Sequence, residues 1–323
     1  MKSFILLFAL STSLFACTAS RHATPSSQWS IAYNVLVDSE KDDYDVFVMN
    51  ADGSQKQNIT KHPDVAWTYY AWKDRLFFIS DRDTCRRCYF LYETDAGGRN
   101  PRKVTDLQVE DSWMGSRNDG REMVVTGRIG KEVRMQLFLV NTQSGAYRQL
   151  TNDTAALHRD PIFSPDGQSI VFVYKKNRRN REEIDELYRM NVDGSGMRQL
   201  THFPANDTTA EWHSYHAGPP HWNQRENFIS YQSFQNGKYS LYAVRPDGSQ
   251  QWKLTDNAFD EGWHDWSPDG RWLFVETFDT EQKQFHIHRM NWKTKALLQL
   301  TDASLKYQQA PVFLFSPVSS GRD

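Results

Sequence analysis

The chain has 323 residues, a formal net charge of −2 and an aromatic content of 14%, with Trp used 11 times. A charge this close to zero leaves no electrostatic footprint for nucleic acid or for a basic membrane-binding surface. The aromatic-rich composition suits a sheet-rich fold, and the length is enough for a large core in one or two domains.

In chain order, Lys2 supplies a positive start and Phe4 to Leu14 is mostly apolar. That run is too short to span a bilayer comfortably, so residues 1–16 read as a secretory signal peptide. Leu14-Phe15-Ala16-Cys17 resembles the bacterial lipobox. The resemblance implies lipidation of Cys17 and a mature N-terminus there, with an ordinary signal peptide and an incidental Cys as the alternative. Each buried acyl CH₂ contributes ~0.8 kcal/mol, so several chains hold a protein at a membrane. Thr18, where Asp would signal retention, implies the outer membrane of a Gram-negative cell. Residues 17–28 are small and polar and read as a flexible tether. Residues 29–323 remain as one folded domain.

That domain is a repeat. "DVFVMNADGSQKQNIT", "YFLYETDAGGRNPRKVT", "QLFLVNTQSGAYRQLT", "ELYRMNVDGSGMRQLT", "SLYAVRPDGSQQWKLT" and "HIHRMNWKTKALLQLT" align on their final Thr, at 60, 105, 151, 201, 255 and 301. A period of this length, rich in short strands and turns, is that of a propeller blade. In each unit an apolar strand two follows a turn such as Ser164-Pro165-Asp166-Gly167. Strand three leads into an Asp-Gly hairpin such as Asp193-Gly194, and strand four ends in the Thr. No stretch beyond the signal shows a helical apolar period, so helix should be nearly absent. The first unit has room for only three strands before Thr60, while "QAPVFLFSP" from Gln309 is left over at the other end. The expectation is all-β: a six-bladed β-propeller of four antiparallel strands per blade, its first blade closed by the C-terminal strand, which removes an open edge.

"SPDG" before an apolar strand and "NVDGSGMRQLT" resemble the TolB-type propeller repeat over Trp29 to about Ser316. The resemblance is strongest in units four to six. It implies a propeller exported to the cell envelope and working through protein partners. The additional N-terminal α/β domain of TolB has no counterpart here, and TolB is not a lipoprotein, so a role in the Tol–Pal machine is not carried over.

Three groups of residues could carry chemistry. "EWHSYHAGPPHW" offers Glu211, His213, His216 and His221, and "DEGWHDWSPDG" adds Glu261 and His264. Both segments are expected between the last strand of one unit and the first of the next, near the channel mouth. Imidazoles with carboxylates suit a divalent metal such as Zn²⁺ or Mn²⁺. Some TolB-like propellers, notably oligogalacturonate lyases, carry a His-rich metal site in that region. Turn capping and lining of a wet channel is the other reading. Trp67, Trp113, Trp212 and Trp263 recur at similar places after the preceding Thr. They read either as an aromatic grip for a peptide or glycan at the mouth or as packing between blades. Cys85 and Cys88, in "CRRC", read as a small disulfide, with a redox-active pair as the alternative. The charge run "KKNRRNREEIDE" from Lys175 is expected at the exposed tip of a long hairpin.

Two functions follow. One is a binding or scaffolding lipoprotein at the outer membrane, facing the periplasm and holding an envelope protein, with no confident catalytic residue. The other is a metal-dependent carbohydrate-active enzyme at the channel mouth. No nucleophile elbow, phosphate loop or dinucleotide motif is present.

Overall fold

The computed structural model describes residues 29–204 and 206–315. The expected signal peptide, the lipidated Cys17 and the tether lie outside the described residues. Among the described residues there are 24 strands and no helix.

The strands form five antiparallel sheets. The first is ordered Gln308–Phe315, Trp29–Asp38, Asp43–Asn50, Gln57–Asn58, so the C-terminal strand lies beside the N-terminal one with Ile31 opposite Phe313. Three more have four strands each in chain order. They are Leu157–Phe163, Ser169–Lys175, Glu186–Asn191, Arg198–Gln199; Gly218–Asn223, Phe228–Gln235, Lys238–Val244, Gln251–Lys253; and Asp260–Trp266, Trp272–Phe278, Phe285–Asn291, Leu297–Gln299. The remaining sheet has eight strands. It runs Ala66–Trp72, Arg75–Ser80, Phe90–Asp95, Arg102–Val109, Glu122–Ile129, Val133–Asn141, Tyr147–Gln149, with Gly115–Arg117 paired on Glu122–Ile129.

The repeat predicts six separate four-stranded sheets, and this last sheet is the departure. Arg102–Val109 runs on past its own hairpin and pairs Gln108 with Arg128 and Val109 with Gly127. It thereby takes a place next to Glu122–Ile129 that a full-length first strand would hold, and Gly115–Arg117 is cut to three residues.

The architecture is a propeller. The first strands stand side by side around an axis. Gln308–Phe315 touches Ala66–Trp72 on one side and Asp260–Trp266 on the other, and contacts continue through Gly218–Asn223 and Leu157–Phe163 to Gly115–Arg117. The circuit closes where the Tyr70 hydroxyl meets Ser116 Oγ at 2.7 Å. Apolar clusters lie between successive sheets. Ile31, Tyr33 and Met49 pack on Phe274 and Ile287, Val171 and Leu187 on Ile229 and Tyr231, and Phe228 and Leu241 on Leu273 and Val275. A single sheet cannot cover both its faces, and stacking neighbours around a ring does so.

The repeated Leu-Thr has a specific task. Leu187 N–H is taken by the Thr201 hydroxyl at 2.8 Å, and Leu187 C=O accepts from Leu200 N–H at 2.8 Å. The same pair of bonds joins Val46 to Ile59-Thr60, Leu137 to Leu150-Thr151, Leu241 to Leu254-Thr255 and Ile287 to Leu300-Thr301. The fourth strand turns away here, and the side chain stands in for the backbone acceptor that is no longer opposite. Thr105 departs, bonding Gly145 C=O at 2.7 Å instead, because its strand does not turn away.

Thr201→Val should therefore leave the buried Leu187 N–H unpaired and lower stability by about 1–3 kcal/mol, read as the shift in urea midpoint. Thr201→Ser should retain most of the wild-type value. Equal losses in the two variants would mean that the methyl group, not the hydroxyl, matters.

Candidate functional site

Register breaks on or opposite five of the first strands build the site. Each is at the level of the axis: at Tyr69, between Arg159 and Ile162, between Gly218 and His221, between Glu261 and His264, and opposite Ala32–Asn34 in the C-terminal strand. A bulge re-aims side chains and leaves a residue outside the ladder. Pro161, Pro219, Pro220 and Pro311 lie in these interruptions, where no ladder donor is required. Asp160 and Ala310 adopt φ of 53° and 51° there.

Tyr69, Asp160, Pro219 and Trp263 consequently line a cavity of 690 Å³ at the end of the ring where the first strands begin. A second cavity of 510 Å³ lies at the other end, among the Ser-Pro-Asp-Gly turns, and shares Tyr69 and Trp113 with the first. The two rings sit 5.4 Å apart and stand between the two chambers.

A charge cluster occupies the wall of the larger cavity. Asp185 accepts from Arg159 Nη2 at 2.8 Å and lies 3.5 Å from Lys175 Nζ and 3.3 Å from His216 Nδ1. Burial opposes ionisation of Asp185, but His216, Arg159 and Lys175 outweigh it and hold the carboxyl down at about 2. Asp160 accepts from Trp113 N–H at 2.9 Å and Ser112 Oγ at 3.1 Å. Tyr69 donates to Asp111 at 2.5 Å, and burial pushes that carboxyl up to about 6. Burial likewise pushes Glu276 up to about 8, although Ala310 N–H donates to it at 3.0 Å.

The residues singled out in the sequence divide. His213, His216, Trp113, Trp212 and Trp263 line the larger cavity. Trp212 is 72% exposed, with His213 5.3 Å from its ring and Phe234 4.6 Å beyond His213. His213 lies 3.5 Å from Glu211. Both His216 nitrogens have protein partners: Nδ1 faces Asp185, 3.2 Å from its backbone N and 3.3 Å from its carboxylate, and Nε2 lies 2.9 Å from Trp212 C=O. His221, Glu261 and His264 are in first strands rather than in the connections expected, because those strands begin earlier than the turn pattern suggests. His221 lines the smaller cavity, 4.6 Å from the His264 ring, and His264 is bonded to Ser230 at 2.7 Å. Burial drives His264 well below the ordinary imidazole range. Glu261 is taken by Thr255 and Asn257, in the connection that leads into its own strand. Among the described residues, no three His, Cys, Asp or Glu side chains converge as a metal site. The donor set is therefore dispersed.

Trp67 is away from both cavities, packed by Tyr44 and Tyr89 with the Arg87 guanidinium 4.9 Å over its ring. Cys85 and Cys88 form a disulfide. The charged run is an exposed hairpin tip, but its ends, Lys175 and Asp185, turn inward to the cavity. Arg159, Asp160, Asp185 and Glu276 were not legible as a group. The one signal for them was Pro directly after Asp160 in a strand, which marks a bulge.

No family model matches the chain. The Tol-Pal system protein TolB of Anaeromyxobacter dehalogenans (strain 2CP-C) is 28% identical over 173 residues, covering 52% of this chain. The match spans 37% of that curated relative's length. The crystal structure of TolB from Acinetobacter baumannii superposes with a TM-score of 0.67 at 15% identity, over 88% of this chain and 66% of that one. Oligogalacturonate lyase from Vibrio parahaemolyticus gives a TM-score of 0.54 at 13% identity, over 81% of this chain and 72% of that one. At such identities the structural likenesses establish a TolB-like propeller fold and nothing finer.

Glu276 gives a pH test. The folded protein keeps this proton up to about 8, whereas an exposed glutamate loses it near 4.5. Folding then takes up a proton between those values, so this group's contribution falls as pH rises from 4.5 towards 8. Glu276→Gln should remove that slope, and urea midpoints of variant and wild type should diverge steadily over the window in the variant's favour. Asp111, raised in the same direction, stays in both proteins and cancels in the difference. Parallel profiles would refute the assignment.

Proposed function

We propose that this chain is an exported, TolB-like propeller lipoprotein that binds an envelope protein at the larger cavity, without catalysis. The observation that carries this reading is Trp212. A Trp left 72% exposed at the rim of a 690 Å³ chamber is the kind of rigid aromatic anchor that dominates protein interfaces. Behind it, Arg159, Lys175, Asp185 and His216 form a fixed polar floor. A segment with an apolar side chain and backbone amides would find both a stacking surface and hydrogen-bond partners there. The name of the curated relative, a Tol-Pal system protein, supports an envelope setting for this chain.

In this reading the eight-stranded sheet counts as two blades sharing one detouring strand, which makes the ring six-bladed with blade ends near 60, 105, 151, 201, 255 and 301. Cys17 carries the lipid, residues 17–28 form the tether, and the domain faces the periplasm from the outer membrane. Cys17→Ala should move the protein from the membrane fraction to the periplasmic extract. Recovery of the variant with membranes would remove the anchor.

The binding role is tested with the lipidated protein and membrane extracts. Trp212→Ala should weaken capture of its partner by about thirtyfold or more, the loss typical of a buried aromatic anchor, with unchanged thermal stability. Capture that survives both Trp212→Ala and His213→Ala would refute this face as the site. A glycan is the alternative ligand of the same aromatic rim. The lyase reading predicts stoichiometric Zn²⁺ or Mn²⁺ on the purified protein, lost on changing His213, His216 and His264 together to Ala, and that result would replace the scaffold reading.

A further inference from the structure

The disulfide is set in a loop that holds its shape by other means. Asp81 accepts from Val65 N–H at 3.1 Å and Arg87 N–H at 2.7 Å. The Thr84 hydroxyl lies 2.7 Å from Asp81 C=O and 2.9 Å from Cys88 C=O, its single proton shared between them, and Cys88 N–H donates to Cys85 C=O at 2.8 Å. Arg87 is turned away from the sulfurs. It pairs with Asp42, donates to the Tyr89 hydroxyl at 2.6 Å and covers Trp67. None of these bonds involves a sulfur, and together they tie the ends of the loop beside the disulfide. A loop closed over a sequence separation of 3 also removes little freedom from the unfolded chain, so stability gives this bond little to do.

The sulfurs are unequal. Cys85 is exposed and Cys88 is buried, at 9%. A guanidinium faces the buried one: Arg128 Nη2 lies 3.9 Å from Cys88 Sγ. Arg128 is aimed there by Gln108, whose side-chain oxygen accepts from Arg128 Nε at 2.9 Å. Gln108 stands opposite Arg128 only because Arg102–Val109 runs on to pair with Glu122–Ile129. The eight-stranded sheet thus delivers a cation to a cysteine sulfur. Cations beside a thiol lower its pKa and make it a better leaving group.

We propose that Cys85–Cys88 is a thiol–disulfide exchange site, with Cys85 as the attacked sulfur and Cys88 as the leaving one. The co-reactant is a dithiol, on a protein or a small molecule. Its thiolate bonds to Cys85 Sγ, and the broken S–S electron pair goes to Cys88 Sγ, which leaves as a thiolate beside Arg128. The second thiol of the co-reactant gives its proton to water and attacks its own sulfur in the mixed disulfide. Cys85 is expelled as a thiolate and takes up a proton. The protein disulfide gains two electrons and one proton, Cys88 staying a thiolate beside Arg128, while the dithiol gives up two protons, a net one of them to water, and becomes a disulfide. The preformed loop allows the reverse reaction without refolding. This site is independent of the cavity and of what binds there.

The test uses the full chain in native buffer, with dithiothreitol as reductant, acid quench, alkylation and peptide mapping to separate the pair from Cys17. The bond should open while tryptophan fluorescence stays native. Arg128→Met should slow opening severalfold, because the departing Cys88 thiolate loses the cation beside it and becomes a poorer leaving group. Arg128→Lys, which keeps the charge, should stay closer to the wild-type rate. With oxidised glutathione, Cys88→Ser should form the mixed disulfide on Cys85, and Cys85→Ser should react on Cys88 at least about tenfold more slowly, as burial of that sulfur requires. Opening only in denaturant, equal reactivity of the two single variants, or an unchanged rate in Arg128→Met would each reduce the pair to a structural clasp.

Discussion

A threonine hydroxyl at the end of a fourth strand supplies what the backbone there cannot. The outer strand of each unit must stop and send the chain back to the axis to begin the next. Stopping leaves a buried N–H on strand three without an acceptor, a cost comparable to a lost hydrogen bond. Thr60, Thr151, Thr201, Thr255 and Thr301 each fill that gap. The residue before the Thr sets the spacing to the next sheet. The backbone of Leu300 touches the turn at Gly53, Leu150 that at Gly194 and Leu200 that at Gly248, so close that a Cβ on the glycine would lie 2.8, 3.0 and 3.3 Å from the carbonyl oxygen. One dipeptide thus ends a strand and fixes the distance to a neighbour. The contact between Leu300 and Gly53 joins the last unit to the first, so the same rule that builds the ring also shuts it.

The axis imposes a different constraint. First strands crowd together there, and a regular pleat would aim every second side chain at the same point. Breaking register at the middle of the strand releases that crowding and turns chosen side chains into two chambers instead of one continuous pore. Tyr69 and Trp113 fill the space between the chambers. The polar groups made available by the breaks are used at once: Asp160 holds the backbone before Gly115–Arg117, and Glu276 holds Ala310 within the closing strand. The cavity floor is therefore preorganised by bonds that also join neighbouring sheets.

How much of this the sequence shows depends on how local the cause is. The turns, the short strands, the Thr ends and the pairing of the C-terminal strand with Trp29–Asp38 are repeated or counted, and they were legible. The fusion of two units was not, since nothing in "RKVTDLQV" distinguishes a strand that stops from one that runs on to a second partner. The site was half legible. His213, His216 and three of the four Trp residues reach the larger cavity. Residue type alone suggested a metal, yet the nitrogens of His216 are already engaged and Glu261 faces Thr255 and Asn257. Which lone pairs remain free is a property of packing. The inward ends of the charged hairpin were hidden for the same reason: Lys175 and Asp185 look like part of a solvated run until the strands place them beside Arg159.

The chemistry concentrates where the repeat is broken. A ring of identical units has no reason to carry a unique side chain at any one place, because each contact recurs with its period. Two irregularities spoil that equivalence. The insertion between Thr201 and Gly218 carries Trp212, His213 and His216 over the larger cavity. The detour of Arg102–Val109 turns Arg128 towards Cys88. Both interrupt a pattern that packing alone would favour keeping, since each gives up regular ladder pairing or adds exposed chain. Local violations of otherwise consistent fold rules concentrate at functional sites. The regular units provide the rigidity, and these two interruptions place side chains that no other unit carries.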